Sequence, residues 1–330
     1  MAVSSEIALV GATGIVGQQV LRALEEKDHP AQGLTLFASE RTQGTEVEYS
    51  GESLEIEQLH SEAFLGMKAV VLACPPEVAK PLAISAQQKG AWVIDLSGAF
   101  RDDLKVPLVL GDSDPLLLRP FEGRIVELAM PSTQAILAAL TGAQTTVGLQ
   151  SAQVTALFGA ANRGQSGLTA FERQTAALLN AGDAEATVFP HRLGFNLVPQ
   201  VGAFDGVNTA DESALKVEVA RRLGPVPLSC TMIFAPFFHG TMLVLTAQLE
   251  KPMEADAVRE QLKTVAGVKV LDAPAEGVYP MPMLVTADAA IHLGRIRVEG
   301  RTLQLVAAID NAGRAGDVAA SLAIKLAAKA

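Results

Sequence analysis

Cysteine is scarce in this sequence. The 330 residues include two cysteines, Cys74 and Cys230, and each lies in an apolar stretch. Two thiols cannot build a disulfide framework, and the five histidines are scattered without the spacing that a zinc site requires. We therefore expect two buried thiols and no structural metal.

Positive charge is also in short supply. Lysine and arginine number 26 against 36 acidic residues, which gives a formal net charge of -10. Nucleic-acid partners require a basic surface, so this charge balance argues against them. The partners that this charge balance leaves open are small molecules and other proteins.

Charge of either sign is absent from Leu128 to Asn162. Because Pro131, Gly142, Gly148 and four glutamines interrupt this stretch, we expect buried core and no membrane span. The N-terminus has no basic region before its first apolar run, so we expect no signal peptide and a cytoplasmic location.

The first part of the sequence alternates short apolar strands with helices. This alternation indicates βαβ units and a doubly wound parallel sheet of the Rossmann type. We expect a nucleotide-binding domain over residues 1–130, with strands near 6–10, 34–38, 69–74 and 92–96 and helices near 16–25 and 76–89.

The second part has longer strands with alternating polarity, which indicates an α+β domain over residues 131–311. A turn at 299–301 predicts an antiparallel hairpin. The strands are expected at 151–158, 230–237, 241–249, 291–298 and 302–309, and the helices at 168–179, 210–223 and 254–265.

Three helices can cover only one face of a single sheet, so the other face predicts a homodimer interface. The last segment, 312–330, contains an alanine-rich amphipathic helix at 316–330, which we expect to return to the first domain.

A glycine-rich loop follows the first strand and precedes the first helix. Glycine at such a turn lets the pyrophosphate of a dinucleotide approach the amides of a helix N-terminus. The strand–turn–helix context is the one that this motif requires. The expected cofactor-binding residues are Gly11, Thr13, Gly14, Ile15, Val16 and Gly17.

The residues after the second strand distinguish NADP from NAD. A carboxylate there binds the ribose hydroxyls of NAD, whereas an arginine with hydroxyls binds the 2′-phosphate of NADP. Both types are present, Glu40 on one side and Ser39, Arg41 and Thr42 on the other. We favour NADP through Ser39 and Arg41, with NAD as the alternative.

Several motifs resemble the aspartate-semialdehyde dehydrogenase family in order and spacing over essentially the whole chain. They are Gly11–Gly17, Ala38–Arg41, Ile94–Arg101, Phe195–Gln200, Gly294–Arg297 and Asp310–Asn311. The resemblance implies NADP binding that includes Asn311, an anion site at Arg101, a dimeric second domain, and an origin in amino-acid biosynthesis.

The resemblance also implies a cysteine nucleophile, and this sequence departs from it there. The family's Asn-Cys-Ser-Thr stretch corresponds to Met130-Pro131-Ser132-Thr133, so Pro131 takes the place of the nucleophile. Proline suits the first turn of a helix but has no nucleophilic atom. The cysteine-less Usg-type branch of the family resembles this pattern.

The other catalytic positions differ as well. Thr241 stands where the family has its histidine base, and Phe234 stands where it has the arginine that holds the substrate carboxylate. The orienting glutamine corresponds to Ala156, and a lysine of the anion site corresponds to Ala214, two residues before Lys216. Near the nicotinamide position, Pro75-Pro76 and Leu96 replace the family's Gly-Gly and asparagine.

Four residues are candidate substitutes for the lost groups. His239 lies two residues before position 241, an offset that keeps both side chains on one face of a strand, so it is either a substitute base or a partly buried structural histidine. Ser132 and Thr133 are either hydroxyl nucleophiles or helix caps. Cys74 is either a thiol near the nicotinamide or a buried structural residue.

Two functions remain open from the sequence. One is a catalytically silent homologue that binds NADP and acts through dimerisation or protein contacts. The other is an NADP-dependent oxidoreductase that acts on a less charged carbonyl substrate without a covalent thiol intermediate. The apolar residues at positions 96, 156, 214 and 234 are the basis for the second function.

Overall fold

A computed structural model describes residues 6–38, 44–60, 62–118, 121–286 and 288–330. The chain forms two compact units, Met1–Met130 with Ala312–Ala330, and Pro131–Asn311. Ser39, Glu40, Arg41 and Thr42, on which the choice between NADP and NAD rests, lie outside the described residues.

The first unit is built on an eight-stranded sheet. Its strands are β1 Ile7–Val10, β2 Leu34–Phe37, β3 Glu46–Tyr49, β4 Glu52–Glu57, β5 Ala69–Leu72, β6 Trp92–Asp95, β7 Leu108–Val109 and β8 Ile125–Leu128. They lie in the order β3-β4-β2-β1-β5-β6-β8-β7, and the pairs are parallel except for the β3–β4 hairpin.

Both faces of the central part of this sheet are covered, which explains why β1, β2 and β5 are continuous apolar runs. Ile7 and Leu9 of β1 pack into one core with residues of helix α1, Ile15–Glu26, and of the C-terminal helix. Ala8 and Val10 point the other way, into a core with the alanines of helix α2, Pro76–Gln88. The expected Rossmann-type sheet is confirmed.

The second unit is built on a six-stranded sheet. Its strands are β9 Leu149–Phe158, β12 Leu228–Phe234, β13 Thr241–Leu249, β14 Val268–Val270, β15 Ile291–Glu299 and β16 Thr302–Ile309, besides a small hairpin of β10 Phe204–Asp205 and β11 Asn208–Thr209. In the sheet they lie in the order β12-β9-β13-β16-β15-β14. The helices of this unit are α3 Pro131–Thr146, α4 Gly164–Leu179, α5 Ala210–Leu223 and α6 Ala255–Lys263.

This sheet is mixed, where the strand pattern had suggested antiparallel pairing. The four central strands pair antiparallel, and the predicted 299–301 hairpin joins β15 to β16. The outer strands β12 and β14 pair parallel to β9 and β15. A parallel pair needs a long connection, and helices α4 and α5 supply it between β9 and β12.

One face of the second sheet is covered by helices. Helix α3 packs on β13 and β16, α5 packs on β12, and α6 packs on β14 and β15. Buried residues alternate with more exposed ones along β9 and β13, as expected for a one-sided layer. The other face, called here the open face, carries Leu157, Met242, Val244 and Val306.

The C-terminal helix α7 spans Asn311–Ala327 and so begins five residues before the expected 316. The observed helix contains both Gly313 and Gly316, although glycine disfavours helix interiors. At Gly316 a Cβ would lie 2.5 Å from the backbone of Gln19 in α1. Close packing of α7 on α1 therefore explains a glycine inside the helix.

Candidate functional site

The glycine-rich loop lies between β1 and α1, as the sequence predicts. Gly11 has a φ of +91°, and a Cβ there would lie 2.3 Å from the carbonyl oxygen of Ala73. A Cβ at Gly17 would lie 2.0 Å from the carbonyl oxygen of Gly11. Both positions therefore require glycine, and together they fold the loop tightly against the end of β5.

The start of α1 has the features that a pyrophosphate site needs. Gly14 is the N-cap residue, and no side chain caps the helix. Thr13 and Gly14 are exposed, and Ile15 and Val16 are partly exposed. The first amides of α1 therefore face a surface that an anion can reach, and the backbone fits the phosphates of a dinucleotide.

A second loop after β6 is fixed by the buried Asp95. Its carboxylate accepts hydrogen bonds from the Ser97 amide at 3.0 Å, the Ser97 hydroxyl at 2.7 Å and the Ala99 amide at 3.0 Å. Burial raises the pKa of Asp95, and these hydrogen bonds and Arg101 oppose the rise. The Arg101 guanidinium packs on Gly98, where a Cβ would lie 2.2 Å from its Nη2. The anion-binding role of Arg101 stays a prediction.

Cys74 directly follows β5 and precedes the two prolines. Pro75 is the N-cap of α2 and Pro76 its first residue, so neither offers an amide to a ligand. Burial raises the pKa of the Cys74 thiol to about 11, with further rises from Asp95 and Glu77. A thiol that holds its proton this firmly favours the structural interpretation of Cys74.

The nucleophile position lies at the start of α3 in the second unit. Pro131 is the first residue of that helix, so Ser132 and Thr133 lie within its first turn. The interpretation of these two residues as helix caps is therefore wrong. Thr133 is fully buried, and its hydroxyl donates to the carboxylate of the buried Glu218 at 2.6 Å. That bond ties α3 to α5.

The base position holds a residue with an unusual environment. Thr241 is the first residue of β13 and is fully buried, and its Oγ1 has no hydrogen-bond partner. His239 precedes the strand, in a turn where Gly240 has a φ of +88°, and it is exposed. Strand alternation does not extend to His239 and so gives no support to this residue as a substitute base.

Phe234, at the carboxylate-clamp position, ends β12 and is fully buried between two groups. The ring of Phe189 contacts it edge-on at a centroid distance of 5.1 Å. The guanidinium of Arg163 lies over it, with Cζ 5.4 Å from the ring centroid. The sequence predicts an apolar lining here and does not predict the contact with Arg163. Its one signal was that Arg163 ends the uncharged stretch 128–162.

Three further predicted positions lie in the second unit, and the role of Asn311 in cofactor binding stays a prediction. Ala156 lies fully buried in β9, and Lys216 donates to Asn208 Oδ1 at 2.7 Å. Asn311 donates from Nδ2 to Asn162 Oδ1 at 2.5 Å. Burial raises the pKa of Cys230 to about 12, with a further rise from Glu212 and a smaller opposing effect of Lys216.

No group of three or more histidine, cysteine, aspartate or glutamate side chains is placed to hold a metal ion, within the ranges that the structure describes. In the same ranges, no helix is both long enough and apolar enough to span a membrane.

Comparison with known proteins assigns the family. The semialdehyde dehydrogenase NAD binding domain matches residues 6–115, and the semialdehyde dehydrogenase dimerisation domain matches residues 137–313. The chain belongs to the aspartate-semialdehyde dehydrogenase family. The resemblance and the fold class inferred from the sequence are thereby confirmed.

Individual relatives agree with this assignment. Aspartate-semialdehyde dehydrogenase of Aquifex aeolicus is 30% identical over 299 residues, which cover 88% of this chain and 87% of that protein. A USG-1 protein homolog of Pseudomonas aeruginosa is 31% identical over 298 residues, with the same coverage. The structure of a probable aspartate-semialdehyde dehydrogenase from Pseudomonas aeruginosa superposes with a TM-score of 0.90 at 29% identity and covers 98% of both chains.

Proposed function

We propose that this protein is an NADP-binding, homodimeric member of the family that lacks the thiol-dependent dehydrogenase reaction. The observation that carries the proposal is the start of α3, where Pro131 occupies the nucleophile position. The base position holds Thr241, whose hydroxyl has no partner to activate it. A covalent thiol mechanism requires both a nucleophile and a base, and this chain supplies neither at those positions.

The two cysteines do not replace the missing nucleophile. The thiolate is the reactive form of cysteine, and reactive cysteines have a lowered pKa. Burial raises the pKa of Cys74 to about 11 and that of Cys230 to about 12. At neutral pH both thiols are protonated, which supports a protein without acyl-enzyme chemistry.

Nucleotide binding is supported by the loop and helix start at residues 11–17. The preference for NADP rests on Ser39 and Arg41 in the sequence. We expect titration of the pure protein to give a lower Kd for NADPH than for NADH. Equal affinities would refute the preference, and no binding of either nucleotide would refute the cofactor assignment.

Dimerisation is supported by the open face of the second sheet. Val244 at the middle of β13 is 41% exposed on this face although its neighbours in the strand are apolar. Light scattering should give about twice the chain mass of 34.5 kDa. Val244→Asp should shift the protein to monomer, whereas Val207→Asp, at a position 93% exposed outside the sheet, should leave the dimer intact. A monomeric wild-type protein would contradict the proposal.

A second candidate function is an oxidoreductase that transfers hydride directly to a different carbonyl substrate. The observation that favours it is that polar atoms around Phe234 and Thr241 remain unpartnered, as in a site that still receives a ligand. The wild-type protein with NADPH and a panel of small aldehydes and ketones separates the two functions, because only the oxidoreductase oxidises NADPH.

A further inference from the structure

Four buried residues form a row across one end of the second sheet. Phe234 of β12 and Thr241 of β13 both pair with Phe158 of β9, and Thr241 also pairs with Ile309 of β16. Directly paired residues project from the same face of a sheet. Because all four are buried, this terminal row lies on the face that the helices cover.

Three polar atoms near the terminal row have no hydrogen-bond partner and no access to solvent. They are Oγ1 of Thr241 within the row, Oδ1 of Asn311, two residues beyond Ile309, and Nε of Arg163, five residues beyond Phe158. Buried polar groups without partners are rare in proteins, because each carries an uncompensated desolvation cost. Three of them lie around one row, so a polar ligand placed there would supply the missing partners.

Arg163 gives the ligand its charge. Its guanidinium stacks on the ring of Phe234, and within the described ranges no carboxylate forms an ion pair with it. The residue is partly exposed although its Nε is buried, so another part of the side chain reaches solvent. Asn162, the preceding residue, holds Asn311 through the 2.5 Å side-chain hydrogen bond, which places Arg163 and Asn311 on adjoining parts of the site.

We propose that the terminal row, with Arg163 and Asn311, is a binding site for a small hydroxycarboxylate. The Nε edge of a guanidinium donates two parallel hydrogen bonds, which match the two oxygens of a carboxylate. Oδ1 of Asn311 is an unused acceptor and requires a donor, which a hydroxyl supplies. The hydroxyl of Thr241 donates or accepts as the ligand requires. In this arrangement Arg163 supplies, from the turn after β9, a positive charge that Phe234 cannot.

The inference goes beyond the proposed function, and its test uses no nucleotide. Ligand-observed saturation-transfer NMR of the whole protein with L-lactate, propionate, lactamide and inorganic phosphate compares the required features one at a time. We expect L-lactate to bind most tightly and propionate, which lacks the hydroxyl, more weakly. Lactamide, which lacks the charge, should give no transfer, and phosphate should not displace lactate.

Variants test the assignment to residues. Arg163→Met keeps much of the packing on Phe234 without the charge and should weaken lactate binding by at least about tenfold, since charge-assisted hydrogen bonds are the stronger class. Arg173→Met, at an exposed arginine of α4, is the matched control and should bind lactate like the wild type. Arg163→Lys keeps the charge without the paired donors and should fall between them.

Each contrary result overturns the inference. Absence of lactate binding by the wild type removes the site, and equal binding of lactate and lactamide removes the role of the charge. Equal binding by wild type and Arg163→Met removes Arg163 from the site. The comparison of ligands on the wild-type protein tests the site without any variant, so it remains decisive even if a variant folds poorly. Because the nucleotide titration is separate, a failure here leaves the cofactor proposal standing, and the reverse also holds.

Discussion

Two buried threonines of the second unit offer a test of the structure, because the same substitution should raise the stability at one position and lower it at the other. Thr241 and Thr133 are both fully buried. Thr133 donates a 2.6 Å hydrogen bond to Glu218, whereas Oγ1 of Thr241 has no partner. Valine has nearly the same shape as threonine without the hydroxyl. The change to valine therefore removes a satisfied group at one position and an unsatisfied group at the other.

The expected magnitudes follow from these two environments. Leaving a buried polar group unpaired costs about 1–3 kcal/mol, so Thr241→Val should stabilise the ligand-free protein by about that amount. A hydrogen bond to a charged group contributes about 1.5–3 kcal/mol, so Thr133→Val should destabilise it comparably. For a unit of the size of residues 131–311, about 1 kcal/mol shifts the Tm by about 2–4 °C.

Differential scanning calorimetry is the appropriate assay, because the single tryptophan, Trp92, lies in the first unit and does not report on the second. We expect a Tm rise for Thr241→Val of about 2–12 °C and a fall of similar size for Thr133→Val. Thr141→Val, at an exposed position of α3, is the control and should change little. A fall in Tm for Thr241→Val would refute the assignment of an unpartnered hydroxyl at the base position.

Three further predictions concern chemistry, pH and the cofactor. Neither the wild type nor Pro131→Cys should reduce NADP in the presence of aspartate semialdehyde and phosphate, because groups that act as a unit cannot be restored singly; turnover by the wild type would show that the active-site correspondence is wrong. Burial alone raises the pKa of Asp288, but hydrogen bonds from Lys269, from the Ala290 amide and from His292 outweigh it and lower the pKa to about 2. The stabilisation that the Asp288 carboxylate contributes is therefore fully present above the unfolded pKa of about 3.9 and is lost as the pH falls through 2. The difference in unfolding free energy between wild type and Asp288→Asn, measured by urea unfolding, should shrink as the pH falls over that window. A difference that stays constant with pH would contradict this prediction. Arg41→Ala should weaken NADP binding by about 10–150-fold in calorimetric titration and leave NAD binding nearly unchanged, and an equal loss for both would exclude a 2′-phosphate contact.

Much of the fold could be predicted because its signals are local. Strands β1, β2 and β5 are apolar runs that become buried, and this burial can be expected from the run itself. Glycine is required at positions 11 and 17 by close contacts within the loop and with the end of β5. Helix α5 was predicted at its observed bounds, and its capping box, Thr209 with Glu212, is itself a local signal. The wound sheet of the first unit follows from the order of such elements.

Elements at sheet edges were missed for a physical reason. Strands β3 and β4 contain five glutamates among their ten residues, and most of their side chains are exposed. β3 is the edge strand, and β4 lies between it and β2. Charged residues are typical of such edges, where they prevent further pairing, so the hydrophobic periodicity of this part of the sheet is weak. The sequence also did not predict that β12 pairs parallel to β9 and β14 parallel to β15. The partner of an outer strand is set by the long connection that leads to it and not by the strand's own pattern of apolar residues.

The candidate site shows where family correspondence stops being informative. When each residue of this chain is compared with the family residue at the same position, the comparison reports only which functional groups are missing. By that measure Phe234 removes a cation. The folded chain returns a cation to the same place from a different element, because the turn after β9 directs Arg163 across the ring. A contact between residues 71 positions apart in sequence leaves no mark in either local stretch. The charge at this sheet end is therefore a property of the assembled sheet, and position-by-position correspondence with a family does not report it.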